Sequence, residues 1–169
     1  MKTTILSAVL LASLSTTEAG IGMGALMIWP TARSTALAGA MTGLADEADA
    51  TYFNPAGLAF QTTAKANLNY GNWLPGLYPG VHYGSAAGGA PLRLSFLRVR
   101  KAFVAGSLTY NALGSMHIIN GRGQLVGRVS PWRGVAGVHA AATLSDNLAV
   151  GLGANLLTSR GAVPSWPYL

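Results

Sequence analysis

Gly134 to Ser159 reads GVAGVHAAATLSDNLAVGLGANLLTS, two alternating halves about a central Ser145-Asp146-Asn147. In the first half Ala136, Val138, Ala140, Ala142 and Leu144 share one face and oppose His139 and Thr143. In the second, Leu148, Val150, Leu152, Ala154 and Leu156 oppose Gly151, Gly153 and Asn155. A period of two is that of a β-strand, whose successive side chains point to opposite faces. The stretch therefore predicts an antiparallel hairpin with one apolar face and one small or polar face.

The same period recurs upstream. In Lys65 to Trp73, Ala66, Leu68 and Tyr70 lie opposite Lys65, Asn67 and Asn69, and further on Val104, Leu108 and Tyr110 oppose Ser107 and Thr109. Weaker alternation marks Val81 to Ala87, Leu92 to Val99, Gly114 to Asn120 with Asn120-Gly121 as a turn, and Gln124 to Val129. Six to eight strands are expected, and the fold class is all-β. Half of the 169 residues are hydrophobic and only 9% are charged. A soluble domain carries about 25% charged residues, so something other than water is expected to face much of this surface. No segment after the first 20 residues is a transmembrane-helix candidate, because the most apolar window, Ile21 to Trp29, stops at Pro30. Alternation with low charge predicts an outer-membrane β-barrel, in which lipid-facing and lumen-facing side chains alternate and closure satisfies the backbone. Glycine at alternate positions such as Gly151 and Gly153 weakens an ordinary strand; on an inner wall it leaves room for a plug or a neighbouring strand. Tyr70, Trp73, Tyr78, Tyr110 and Trp132, near segment ends, suit the aromatic girdles of such barrels.

The chain divides into four parts. Residues 1–19 read as a cleavable signal peptide: Lys2 is the positive region, Ile5 to Leu14 the short apolar region, and Thr17-Glu18-Ala19 the cleavage site. Residues 20–63 are rich in small and turn-forming residues and predict a compact irregular hatch. Asp46 is expected to cap one helical turn across Glu47 to Ala50, and Pro55 to start a short helix over Ala56 to Phe60, where its missing N–H costs nothing. Residues 64–159 hold the strands, and 160–169, with Pro164 and Pro167, form an irregular tail.

Charge and composition exclude several functions. With no Cys there is no disulfide, thiolate metal site or thiol catalyst. The net charge is +6, and much of it lies between Arg93 and Arg133 without the interleaved aromatics of a base-stacking platform, so nucleic acid is not an expected partner. His82, His117 and His139 lie on separate segments without metal-ligand spacing, and no cofactor or metal is expected. Asp46, Glu47 and Asp49 lack the alternating oxygens and the turn glycine of a calcium loop, and are expected to pair with a cation such as Arg33. Gly20 to Gly24 and Gly151 to Gly153 lack the rest of a dinucleotide fingerprint. No constellation for catalysis is present, so the chain is not expected to be an enzyme.

The stretch ALMIWPTARSTALAGAMTGLADEADATYFNPAGLAF, Ala25 to Phe60, resembles the N-terminal region of the PorV/PorQ family within the FadL-like superfamily of outer-membrane barrels. The shared order is an apolar run, Pro with Ala-Arg, a small-residue segment, an acidic cluster, and aromatic-Asn-Pro-Ala. Here these are Ile28 to Arg33, Leu37 to Gly43, Ala45 to Ala50, and Phe53 to Ala56. Asn67 to Leu77, NLNYGNWLPGL, resembles the first strand and loop of the PorV branch, and Gly134 to Ser159 a later strand pair. The resemblance implies a barrel of roughly fourteen strands, of which this chain holds the N-terminal part, with a hatch folded inside. It marks Pro30, Arg33, Asp46, Asp49, Asn54, Pro55, Ala56 and Gly57 as the hatch motif. Trp73, Leu74, Pro75 and Gly76 become the candidate partner-binding loop.

At about 10 residues per tilted strand, the region after the hatch accounts for about half such a barrel. The expectation is a truncated frame or split gene, with a non-functional remnant as the bland alternative. PorV proteins bind the C-terminal signal domain of type IX secretion cargo and carry it to the surface attachment machinery. FadL moves hydrophobic ligands through a lateral opening, and a soluble sandwich or adhesin module is a third reading. Outer-membrane lipid and secretion cargo are the expected partners.

Overall fold

The computed structural model describes residues 27–73, 75–76, 79–92 and 101–161. The signal peptide, most of the Leu92 to Val99 segment, Leu74, Tyr78 and most of the 160–169 tail lie outside the described residues.

Antiparallel sheet dominates, with a few short helices. Seven strands are described: β1 (Lys65–Asn72), β2 (Val81–Leu92), β3 (Ala102–Leu113), β4 (Met116–Ile119), β5 (Leu125–Val129), β6 (Trp132–Thr143) and β7 (Ala149–Arg160). Five form one sheet in the order β1-β2-β3-β6-β7, and β4 pairs with β5 as a separate hairpin. Neighbours in the five-stranded sheet are all antiparallel; β1–β2, β2–β3 and β6–β7 are consecutive pairs, while β3 and β6 are linked through the β4–β5 hairpin. Among the described residues the sheet is open, with β1 and β7 at its edges.

The register arranges the two faces into rows. Leu68, Ala86, Leu108, Ala136 and Leu156 are partners across all five strands, as are Tyr70, Gly84, Tyr110, Gly134 and Thr158 one step along. A further step brings Asn72, His82, Ala112, Trp132 and Arg160 into line. On this face Leu68 is 83% exposed, Val138 68% and Leu152 75%. The opposite face carries Asn67, Ser85, Ser107, Thr109, Asn111 and His139, several of them buried. Burial is inverted relative to a water-soluble sheet: most of the large apolar side chains stand outside and most of the polar ones within, with Phe103, Tyr83 and Val135 the large buried apolar exceptions on the inner face.

What covers the polar face is the N-terminal segment, which folds into helix α1 (Ala32–Ala36), helix α2 (Ala50–Phe53) and a 3-10 helix (Pro55–Phe60). Leu58 and Ala59 from the 3-10 helix meet Phe103, Ala105 and Ala141 from the sheet, with Ala45 and Ala50 completing a small core. Phe103 and Leu58 are its largest apolar members. Gly151 makes the seat possible, because a Cβ there would collide with the backbone of Pro55 and Ala56.

Two expectations about this segment need correction. Asp46 does not cap a helix; the short helix begins later, at Ala50, preceded by Asp49, whose side chain makes no capping bond. The Asp46 carboxylate is taken instead by Arg33. Helix α1 was not expected from the sequence. Its start is fixed by Thr31, whose hydroxyl accepts from the Ser34 amide while the Ser34 hydroxyl accepts from the Thr31 amide.

Candidate functional site

The site is the seam between the N-terminal segment and the inner face of the sheet. Three layers of interaction build it, and the first is internal to the segment. Arg33 donates to both carboxylate oxygens of Asp46, at 2.7 and 3.2 Å, and lies 3.3 Å from Glu47. The guanidinium holds the Asp46 carboxyl below the usual carboxylate range, and Asp46 in turn raises Arg33. Arg33 and Asp46 are substantially exposed, so this clasp is screened and contributes little to stability.

Asp49 differs. Its Oδ2 accepts from the Thr31 hydroxyl at 3.1 Å, the residue is 1% exposed, and Oδ1 has no hydrogen-bond partner among the described residues. Burial pushes its carboxyl up, opposed by the Thr31 bond. Of the two acidic residues in the sequence motif, Asp46 belongs to a surface clasp and Asp49 to the interior.

The second layer is the Asn54-Pro55-Ala56-Gly57 box. Asn54 Oδ1 accepts from the Ala56 amide at 3.2 Å and its Nδ2 donates to the Thr42 carbonyl at 3.1 Å, joining the 3-10 helix to the preceding turn. Pro55 occupies the first helical position, as the sequence predicts. A Cβ on Gly57 would collide with the side chain and carbonyl oxygen of Ala45, so the tight crossing requires glycine. Ala56 rests on Gly151. Each member of the box thus has a structural task.

The third layer joins segment to sheet. The Ser85 hydroxyl donates to the Pro30 carbonyl. Between segment and sheet lies a cavity of about 360 Å³ lined by Asp49, Thr51, Tyr52, Asn67, Ser107, Thr109 and Asn155 among others. His139 stands beside it with Nε2 3.1 Å from the Ser107 hydroxyl, its ring lying over Gly137 and Gly153, where a Cβ would clash with it. The sequence reading treats His139 as solitary; glycines at alternate positions on the neighbouring strand are the signal that a ring crosses there. His82 meets the Tyr70 hydroxyl at 2.8 Å, and His117 lies 3.1 Å from Arg128.

Trp73, Pro75 and Gly76 are exposed in the turn after β1, remote from the Asn54 to Gly57 box. Trp73 continues the ladder by donating its amide to the Val81 carbonyl at 2.9 Å, and Gly76 takes a left-handed φ of 83°. Hatch motif and loop are therefore separate places on the fold. No family model, curated protein or solved structure matches the chain.

Proposed function

We propose that the five-stranded sheet is a stretch of outer-membrane β-barrel wall with the N-terminal segment as its internal hatch. We further propose that the protein acts as PorV-type proteins do, binding the C-terminal signal domain of type IX secretion cargo. The single observation that carries the membrane reading is the inverted burial of the sheet. Water penalises apolar exposure by about 25 cal/mol per Å², and the outward faces of β1, β3 and β7 present Leu68, Val104, Leu108, Val150, Leu152 and Leu156 to it. Lipid removes that cost.

Dimensions agree. From the outward row of Leu92, Ala102, Ala142 and Val150 to the row of Tyr70 and Tyr110 is eight residues along a strand. At about 3.4 Å per residue and a tilt near 40°, that spans roughly 21 Å of membrane normal, against about 25 Å for an apolar barrel band. Tyr70, Tyr110 and Trp132 then mark one boundary, with Tyr110 and Trp132 ring centroids 5.9 Å apart.

The cargo-binding part is supported by the resemblance of Ala25 to Phe60 and Asn67 to Leu77, and by the exposure of Trp73 at the strand end. A hydrophobic-solute channel needs large apolar lining, whereas the cavity beneath the segment has Val135 and the Tyr52 ring as its bulkiest apolar members beside Asp49, Asn67, Ser107 and Asn155. A soluble sandwich would bury the apolar face of the sheet against a second layer. Among the described residues that face is bare.

Two measurements test the proposal. The refolded chain should float with phosphatidylcholine vesicles, and recovery in the aqueous phase would refute the membrane reading. An isolated cargo C-terminal domain should be retained by the folded chain and released by Trp73→Ala. Equal retention by wild type and variant would remove the loop from the binding surface, and no retention at all would remove the PorV-type role.

A further inference from the structure

Register sets the floor of the cavity beneath the N-terminal segment. Asn67, Ala87, Ser107, Gly137 and Asn155 are partners across all five strands, one row on the inner face. Hydrogen-bonding side chains thus alternate with an alanine and a glycine. At about 4.8 Å between neighbouring strands, Asn67, Ser107 and Asn155 stand roughly 10 Å apart, with a hollow over Ala87 between the first two. Over Gly137, a Cβ would meet Asn155 Oδ1, Ser107 Oγ and His139 Nε2, so polar atoms from three strands converge there. The next row aligns Ser85, Thr109 and Val135 beside it. All of these except Gly137 and His139 line the cavity, and Pro30, Asp49, Thr51 and Tyr52 of the N-terminal segment form its roof.

Two lining side chains are short of a partner. Asn67 Oδ1 accepts from the Ala87 amide at 3.1 Å, which orients the side chain and leaves Nδ2 unpaired among the described residues. Asp49 Oδ2 accepts from the Thr31 hydroxyl, and Oδ1 is unpaired in the same sense. Asp49 is 1% exposed, so bulk water does not answer it. A buried polar atom left without a partner is costly. Roof and floor therefore present one unmet acceptor and one unmet donor.

That pairing selects a ligand. Among the described residues no Lys or Arg lines the cavity, so an anion would meet the Asp49 carboxylate without a counter-charge. An organic ammonium would answer Asp49 but would set donor against donor at Asn67. A hydroxyl both donates and accepts, and several on one ring can answer Asp49, Asn67, Ser107 and Asn155 together. Tyr52 and Val135 offer apolar surface to the C–H face of such a ring. The volume of about 360 Å³ lies at the lower end of the range for small-molecule sites. At about 30 Å³ for each water-sized group it takes roughly twelve, as many as the carbon and oxygen atoms of a hexose. Asn155 is exposed on the edge strand β7, which leaves a way in.

We infer that the cavity between the N-terminal segment and the sheet binds a neutral saccharide unit of hexose size, held by Asp49 and by the row of Asn67, Ser107 and Asn155. Such binding requires the segment seated on the sheet and does not require lipid. Because the sugar joins roof to floor, it stabilises the seated segment.

The test uses the full chain refolded in lauryldimethylamine oxide, a detergent without sugar. Saturation-transfer NMR is recorded with glucose, galactose and mannose, and each sugar is also scored by protection of residues 27–63 from limited proteolysis. At least one hexose should receive saturation and slow cleavage of the segment in the wild type. Asn155→Ala, at an exposed position outside the small core, should weaken that hexose about fivefold, the equivalent of one hydrogen bond of about 1 kcal/mol. Ser107→Ala should act by a similar factor, while Asn72→Ala, exposed at the far end of β1, should leave binding unchanged. Failure of all three sugars to bind overturns the inference. So does binding undiminished in both cavity variants, or binding that leaves the cleavage rate of the wild type unchanged, since the sugar would then sit elsewhere. Saturation of ethanolammonium but of none of the sugars, lost in Asp49→Asn, would assign the cavity to a cation and also overturn it.

Discussion

Placing a charge at Val138 separates a lipid-facing sheet from a water-facing one by magnitude alone. Along β6 the outward residues of the apolar band are Gly134, Ala136, Val138, Ala140 and Ala142, and Val138 is the middle one. It is 68% exposed, so Val138→Arg meets no steric obstacle within the protein. Val138 lies four residues from the Tyr70 and Tyr110 row, about 14 Å along the strand, and roughly 10 Å below the girdle after correction for tilt. An arginine at midplane depth costs about 2–4 kcal/mol, falling to about 0–1 near an interface. Thr158→Arg, in the row of the two tyrosines, supplies the interfacial comparison.

Urea titration of each variant folded in phosphatidylcholine vesicles, followed by tryptophan fluorescence, reads the difference. Val138→Arg should lower folding stability by 2 kcal/mol or more relative to wild type, and Thr158→Arg by less than half of that. At an exposed position in water the same change should stay within about 0.5 kcal/mol. A Val138→Arg effect that small, or one no larger than that of Thr158→Arg, would refute the claim that this face meets hydrocarbon.

Three further outcomes follow from the seam. Leu58→Ala empties the centre of the small core and should cost about 2–5 kcal/mol, measured as a shift of the urea midpoint. Gly57→Val places branched carbon against the Ala45 backbone, which cannot yield, and should expose residues 27–63 to limited proteolysis while leaving the β-sheet circular dichroism signal unchanged. Acidification should act in two opposite steps on hydrogen-exchange protection of the N-terminal segment. Asp49 is raised by burial, so its ionised form opposes folding; protection should increase as pH falls through its raised value, and Asp49→Asn should abolish that step. Asp46 is lowered by Arg33, so its contribution is present above the ordinary carboxylate value and disappears as pH falls through the depressed one. The second step should be small because the pair is exposed, and Arg33→Gln should remove it.

Strands with bulky residues at alternate positions were legible in the sequence. Lys65 to Asn72 and the hairpin around Ser145-Asp146-Asn147 lie where alternation places them. The distal half of β2 was not legible, because Ala87-Gly88-Gly89-Ala90 offers small side chains on both faces and no contrast from which to read a period. β7 runs to Arg160, four residues past Leu156, since polar Thr158 and Arg160 belong to the two successive rows at the edge of the apolar band and interrupt the apolar pattern without interrupting the ladder. In the N-terminal segment Pro55 announced its own position, while helix α1 escaped notice because serine occupies the capping-box place usually held by Glu or Gln. The pairing of Arg33 with Asp46 follows from charge, but the burial of Asp49 depends on tertiary packing that no local pattern encodes.

The rows across the sheet also bear on how such a chain travels. A translocation channel samples hydrophobicity as a linear window of about 20 residues. Here many bulky apolar side chains are followed by a small or polar one, as in Val150-Gly151-Leu152-Gly153, which dilutes any such window. Greasiness appears only when the backbone hydrogen bonds close and half of the side chains are sorted to one surface. On the membrane reading proposed above, a polypeptide of this kind would cross an inner membrane without being trapped in it. On that reading the same sorting, begun prematurely in the aqueous space beyond, would expose a sticky sheet, so delivery would have to be escorted until the ladder could form in the bilayer.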